Sequence, residues 1–307
     1  MRVFVVGATG AIGARLVPQL IAAGHEVTGT FRSPEKARLL ASQGAEALAL
    51  DVLDEPAVRE AVLAAKPDAI VHQATALSGG GFSRKLDKGF AQTNRLRTEG
   101  TDNLLAAARQ AGVGRFVAQS FAPYRYARQG GMVKTEDDPL DPAPAAGSEG
   151  TNAAMAHVDE AVTEFGGIAL RYGGFYGADN DAFVKPVRKR RFPIVGSGEG
   201  VMSFVHVDDA AAATVLAVEH DGSGVYNIVD DDPAPLREWL PVLAQALEAK
   251  PPRHAPAWMA RLIAGEGGVL MGEQARGASN AKAKKELDWI LRYPTWRQGF
   301  FMAYSKS

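Results

Sequence analysis

Apolar positions at the start of the chain change period twice. Residues 2–6 form an unbroken β-branched and aromatic run. Ile12, Leu16, Leu20 and Ile21 then recur at helical spacing, and 27–31 is extended again. This pattern predicts strand, helix, strand. The alternation continues with a strand over 45–50 that ends at Asp51-Val52, and a helix over 56–65 with Pro56 in its first turn. A buried strand at 69–72 is followed by Gly79-Gly80-Gly81, which predicts a mobile loop. A helix over 98–112 places Leu104, Leu105 and Ala108 on one face, and 115–119 is extended. Prolines, aspartates and glycines over 129–151 predict a surface loop. Then come a helix over 152–164, a strand over 168–172 and an irregular basic stretch to 203. Residues 205–219 begin extended and become an alanine-rich helix, and 225–229 is a last strand. From 233 onward the pattern is mostly helical, with Pro and Gly interruptions. Each strand and helix fits a right-handed parallel crossover, so the expected fold is α/β, a doubly wound parallel sheet.

Composition narrows the function. The 307 residues are 46% hydrophobic and 22% charged, an ordinary globular balance. A formal net charge of −1 argues against nucleic acid or an anionic membrane as partner. Cysteine is absent, which excludes disulfides, thiolate metal sites and a Cys nucleophile. No apolar run is long enough to span a bilayer, and the chain opens on a core strand rather than a leader. A cytoplasmic protein without a metal is expected.

The turn after the first strand carries the clearest chemistry. It reads Gly7-Ala8-Thr9-Gly10-Ala11-Ile12-Gly13. Gly7 permits a tight turn, Gly10 lets backbone approach a pyrophosphate, and Gly13 lets the helix sit close on the strand. The free N–H groups and the positive dipole end of the helix then face the phosphates. Strand before and helix after make this a dinucleotide site. An acidic residue after the second strand would bind the ribose diol of NAD(H). Here Thr30 is neutral and Arg32 offers a forked donor set suited to a 2′-phosphate, which favours NADP(H) over NAD(H).

Further motifs occur in order: Arg115-Phe116-Val117 before Ser120, Leu170-Arg171-Tyr172 before Phe175-Tyr176-Gly177, and Phe204-Val205-His206-Val207-Asp208-Asp209. With the glycine turn, and with Ser279-Asn280-Ala281-Lys282 and Glu286-Leu287-Asp288-Trp289 near the end, the chain resembles an extended short-chain dehydrogenase/reductase of the NAD-dependent epimerase/dehydratase group. The resemblance implies a Rossmann domain over 1–172 plus 205–229. It also implies a smaller, mostly helical substrate-binding domain over 173–204 plus 230–307. The cofactor contacts expected are Gly7, Thr9, Gly10, Ala11, Ile12 and Gly13 in the turn, and Phe31 and Arg32 after the second strand. Asp51 and Val52 follow the third strand, Gln73, Ala74 and Thr75 the fourth, and Gln119 lies on the fifth.

In that family a Tyr, a Lys four residues later and a Ser or Thr usually carry the chemistry. The Lys lowers the Tyr pKa, and the Tyr exchanges a proton with the substrate as hydride moves. Counting back from Leu170-Arg171-Tyr172 puts Thr151 at the Tyr position, Met155 at the Lys position and Asp159 at the acidic position that follows. No YxxxK occurs in this helix. The Ser position falls on Ser120 or Phe121, depending on register. The chain therefore resembles an atypical member. Four phenols, Tyr124, Tyr126, Tyr172 and Tyr176, are expected on loops facing the nicotinamide. Tyr124, next to the strand that carries Ser120, is the first choice for the acid. His157, two residues past Met155, is expected to face elsewhere.

Nucleotide-sugar members usually carry an Arg shortly before the Phe of the FVHVDD-like segment, and Met202 stands there. The substrate contacts expected are Tyr172, Tyr176 and Met202, with Met132, Trp258 and Met271 as further apolar walls. The basic run Lys185, Arg188, Lys189, Arg190 and Arg191 reads as a solvated helix face. The resemblance also implies a homodimer, packed through the helices at 98–112 and 152–164. The leading expectation is an NADP(H)-dependent oxidoreductase acting on a carbonyl or alcohol of a small molecule with a non-standard proton donor. The alternatives are a redox-neutral epimerase or dehydratase and a non-catalytic NADP(H)-binding sensor.

Overall fold

A computed structural model of the protein describes residues 1–77, 86–178 and 183–305. The Gly79-Gly80-Gly81 loop lies outside the described residues. Seven parallel strands form the central sheet: β1 (Arg2–Val6), β2 (Glu26–Phe31), β3 (Glu46–Ala49), β4 (Ala69–His72), β5 (Arg115–Phe121), β6 (Ile168–Tyr172) and β7 (Gly224–Ile228). Their order across the sheet is β7-β6-β5-β4-β1-β2-β3. Chain direction across the sheet reverses between β1 and β4, and that is where open α/β sheets leave a crevice at their carboxyl edge.

Near-continuous apolar runs in β1, β4 and β6 reflect helices on both faces. On one face α1 (Gly13–Ala22) buries Leu16, Val17 and Leu20. On the other lie α3 (Glu55–Ala65), α5 (Glu99–Ala111) and α6 (Glu149–Glu164), around Val58, Leu104, Ala108 and Val158. Among the described residues, two helices flanking the sheet went unpredicted. The first, α2 (Pro34–Ser42), buries only Leu40, and α4 (Leu86–Arg97) buries only Thr93, Leu96 and Arg97. Neither shows an apolar stripe that periodicity can detect.

A separate apolar cluster of Tyr176, Phe183, Phe204, Trp239, Trp296 and Phe300 lies beyond the carboxyl edge. Aspartates fasten it to the sheet. Asp209, on α7 (Val207–Glu219), accepts the backbone N–H groups of Arg292 (2.9 Å) and Tyr293 (2.8 Å). Asp230, just past β7, accepts that of Trp296 (2.8 Å).

Candidate active site

The crevice begins at the glycine turn. Gly7 has φ +83°, and a Cβ there would lie 2.7 Å from the Gln73 and Ala74 backbone, so only glycine lets β1 and β4 end side by side. A Cβ on Gly13 would press into the Gly7 and Ala8 backbone. Gly10 is exposed, and its N–H closes the turn onto the Gly7 carbonyl at 3.0 Å. Helix α1 has no side-chain cap and no acid in its first turn; Ala14 and Arg15 donate to the Gly10 and Ile12 carbonyls, and the N–H groups of Ala11, Ile12 and Gly13 are left for an anion. These features fit a pyrophosphate. Thr9 and Ala11 line the open side, while Ile12 packs into the core below.

Other predicted contacts divide. Arg32 is exposed and makes no ion pair with any described residue, whereas Phe31 packs half-buried against the core. Asp51 is exposed and accepts the Leu53 N–H at 3.1 Å. The Val52 side chain is buried against Gly100, which leaves only its backbone for a ligand. Ala74 and Thr75 are half-buried at the β4 edge, as is Gln119 on β5. Gln73 is buried, and its Nε2 donates to the Tyr172 hydroxyl at 3.0 Å.

At the helix positions where the resemblance puts the dyad, the side chains serve packing. Thr151 donates from Oγ1 to Asp87 (2.7 Å) and accepts from Asn94 Nδ2 (3.1 Å), which ties α6 to α4. Asp87 also accepts the N–H groups of Gly150 and Thr151. Met155 is buried. His157 pairs with Asp102 at 2.7 Å and links α6 to α5.

Ser120 is buried at the end of β5, directly across from Arg171 on β6. Its Oγ accepts from Arg125 Nη1 at 3.0 Å, and no acceptor for its own proton stands among the described residues. Arg125 also pairs with Asp159 (2.9 Å), which Arg171 holds from the other side (3.0 Å). Sequence reasoning missed this buried arginine group. Its one signal was Asp159 at an acidic family position.

The phenols differ from the expectation that all four lie on loops. Tyr172 ends β6 and is fully buried, its hydroxyl shared with Thr214 (2.6 Å) and Gln73; burial pushes it up to about 12. Tyr176 ends a short strand, Gly174–Tyr176, and sits edge-on to Phe300 in the apolar cluster. Tyr126 donates to Asn227 at 2.6 Å. Tyr124 donates to the sulfur of Met202 at 3.4 Å, and its backbone holds φ +66°. Burial raises all four above the ordinary phenol range, so none is made a stronger acid. Met202 and Met271 are buried in the aromatic cluster, while Trp258 stands exposed on the surface.

Among the described residues, no cluster of side chains suits a metal, and no helix is long and apolar enough to cross a membrane. The glycine turn, the switch point and the second apolar cluster define an NAD(P)-dependent enzyme of the short-chain dehydrogenase/reductase type. The chain belongs to the NAD dependent epimerase/dehydratase family, whose model matches residues 3–229. It is 42% identical over 307 aligned residues to a 3-diazoavenalumate denitrifying reductase from a Streptomyces species, covering 97% of this chain and 99% of the relative. Among solved structures, UDP-glucose 4-epimerase from Thermotoga maritima with UDP-glucose superposes with TM-score 0.78 at 21% identity, covering 99% of this chain and 97% of that one. The human epimerase family protein SDR39U1 with NADPH gives 0.73 at 20% identity, with 99% of each chain covered.

Proposed function

We propose that the protein is a reductase that takes hydride from NADPH to a small organic electrophile without help from a Tyr-Lys pair. The observation that carries this reading is the state of the dyad positions: Thr151 is spent on tying two helices, and Met155 is buried. Neither residue can acidify a neighbouring phenol. The 42% identical relative is named for reducing a diazo compound with loss of nitrogen. With the substrate in its cationic diazonium form, hydride forms the new C–H bond as the C–N bond breaks, and the charges balance. The bonding pair leaves with dinitrogen, so the leaving group needs no proton. An enzyme for that chemistry has no use for a phenolic acid.

The cofactor supplies the hydride when bound. The chain would hold its pyrophosphate at Gly7, Gly10, Gly13 and the α1 N-terminus, its 2′-phosphate at Arg32 and its adenine side at Asp51. Ser120 would touch the substrate or the nicotinamide. The protein would act as a homodimer, packed through α5 and α6. Likeness to a named reductase along nearly the whole chain argues against a non-catalytic sensor.

A second reading has one observation in its favour. Tyr124 is a non-glycine residue held at φ +66° three residues past β5, and such strain gathers at functional sites. Under that reading the substrate is a carbonyl compound and Tyr124 is the acid.

The test uses NADPH deuterated at C4 with 3-diazoavenalumate and, separately, a ketone panel. Release of dinitrogen, with one deuterium at the vacated carbon, is expected. Ketone reduction without dinitrogen release favours the second reading, and no NADPH oxidation with either sinks both.

A further inference from the structure

Three arginines converge behind the carboxyl ends of β4, β5 and β6. Arg97, Arg125 and Arg171 are 4%, 2% and 6% exposed, and the one carboxylate among them is Asp159, 5% exposed. Asp159 Oδ2 accepts a hydrogen bond from Arg171 Nε and pairs ionically with Arg125 Nη2. Arg171 also donates to the Tyr126 hydroxyl (3.2 Å), and Arg125 to Ser120 and to the Phe121 carbonyl. For Arg97, Nε and Nη1 are buried without a hydrogen-bond partner among the described residues. With Asp159 alone as counter-ion the group carries a net charge of about +2, and the half-buried Glu136 carboxylate, which faces Arg171 from the Asn227 side, offsets part of it. The field of Arg97 reaches His72, the last residue of β4. Burying a guanidinium without a counter-charge is costly, and packing alone does not explain keeping it.

The place of this charge gives it a consequence. A dinucleotide with its pyrophosphate at the α1 N-terminus and its adenosine over β2 and β3 sends its other half toward β4, β5 and β6. That half ends in a ring that is neutral when reduced and carries +1 when oxidised. We propose that the buried arginine group selects the reduced cofactor, so that the site holds NADPH more tightly than NADP⁺ and sheds the oxidised form once hydride has left. The inference rests on the reading of this crevice as the nicotinamide site. Two unit charges about 10 Å apart at an effective dielectric of ~20 change a binding constant by roughly tenfold. Asp159 tempers the effect, and Arg97, with no hydrogen bond from Nε or Nη1 to lose, is the residue that can be changed with least disruption.

Calorimetric titration of the native protein with NADPH and with NADP⁺ is the test, and it needs no substrate. NADPH is expected to bind at least about tenfold more tightly. Arg97→Met should narrow that ratio several-fold, mainly by tightening NADP⁺, and Arg97→Lys should restore it. Asp159→Asn, which adds net positive charge, should widen it. Equal constants in the native protein overturn the proposal, as does a folded Arg97→Met variant with an unchanged ratio. If Asp159→Asn does not fold, the Arg97 pair decides. The ratio reads the ring's charge alone, so failure to reduce any substrate would refute the reductase reading and leave this result standing.

Discussion

At the scale of single residues, Arg32 and Tyr124 carry the sharpest consequences. Arg32 lies exposed past the end of β2, and no described residue competes for its guanidinium. Arg32→Ala should weaken NADPH by roughly 1.5–3 kcal/mol, the range for a hydrogen bond to a charged group, and leave NADH nearly unchanged. Equal titration constants for NADPH and NADH in the native protein would refute this assignment. Tyr124 separates the two catalytic readings. A general acid is worth ~10²–10⁴-fold, so Tyr124→Phe should lower turnover by that much if the phenol donates to a carbonyl. Where hydride displaces dinitrogen, the same variant should keep turnover within a few-fold, and steady-state rates decide between them. Burial of the phenol beside Met202 favours the smaller effect.

Among the elements, α4 and α6 matter most because Thr151 binds one to the other. Thr151→Val leaves Asp87 and Asn94 each short of a partner and should cost about 1–3 kcal/mol in a denaturation experiment, with NADPH affinity unchanged. A drop in affinity that exceeds the loss of stability would return Thr151 to the site. Helices α5 and α6 also bear on assembly. Ala107, Ala108 and Ala154 are buried on the parent sheet, so half of the small-residue surface is already used within the chain. Ala106 and Ala153 remain exposed, and a partner's helices would pack against them. Light scattering at micromolar concentration should show a dimer, and Ala106→Glu with Ala153→Glu should convert it to monomer. A native monomer would rule the packing out.

Across the whole molecule, two buried histidines contribute to the acid limb of stability. Burial lowers His72 from 6.5 to about 4, and His206 likewise, so both are neutral in the folded protein near pH 7. The unfolded chain takes up a proton at His72 once the pH falls below 6.5, whereas the folded chain takes it up only near 4. Stability is therefore full above 6.5 and falls as the pH drops through that window. At about 1.4 kcal/mol per pH unit, His72 accounts for a loss of about 2 kcal/mol by pH 5. In His72→Gln the amide can still donate to the Leu96 carbonyl, the bond His72 Nε2 makes at 3.0 Å. Urea unfolding at pH 7.5 and 5.0 should show a smaller loss for this variant, by about that amount. Equal losses would mean that His72 does not govern the limb.

The sequence by itself determined the parallel sheet and the glycine turn, because both follow from local rules. Fully buried strands read as apolar runs, and a turn that brings β1 against β4 and opens a helix demands glycine at fixed spacing. It also showed that no YxxxK pattern occurs in α6, since that is a matter of residue identity at one helix spacing. Only the tertiary structure decided which side chains near the crevice are free to act. Tyr172, Tyr176 and Val52 look available along the chain but are consumed by packing, and α2 and α4 escape detection because their few buried positions form no stripe. The buried arginine group lies still further from local reading. Its members come from α4, the loop after β5, α6 and β6, and a field summed over residues that far apart in sequence exists only once the chain has folded.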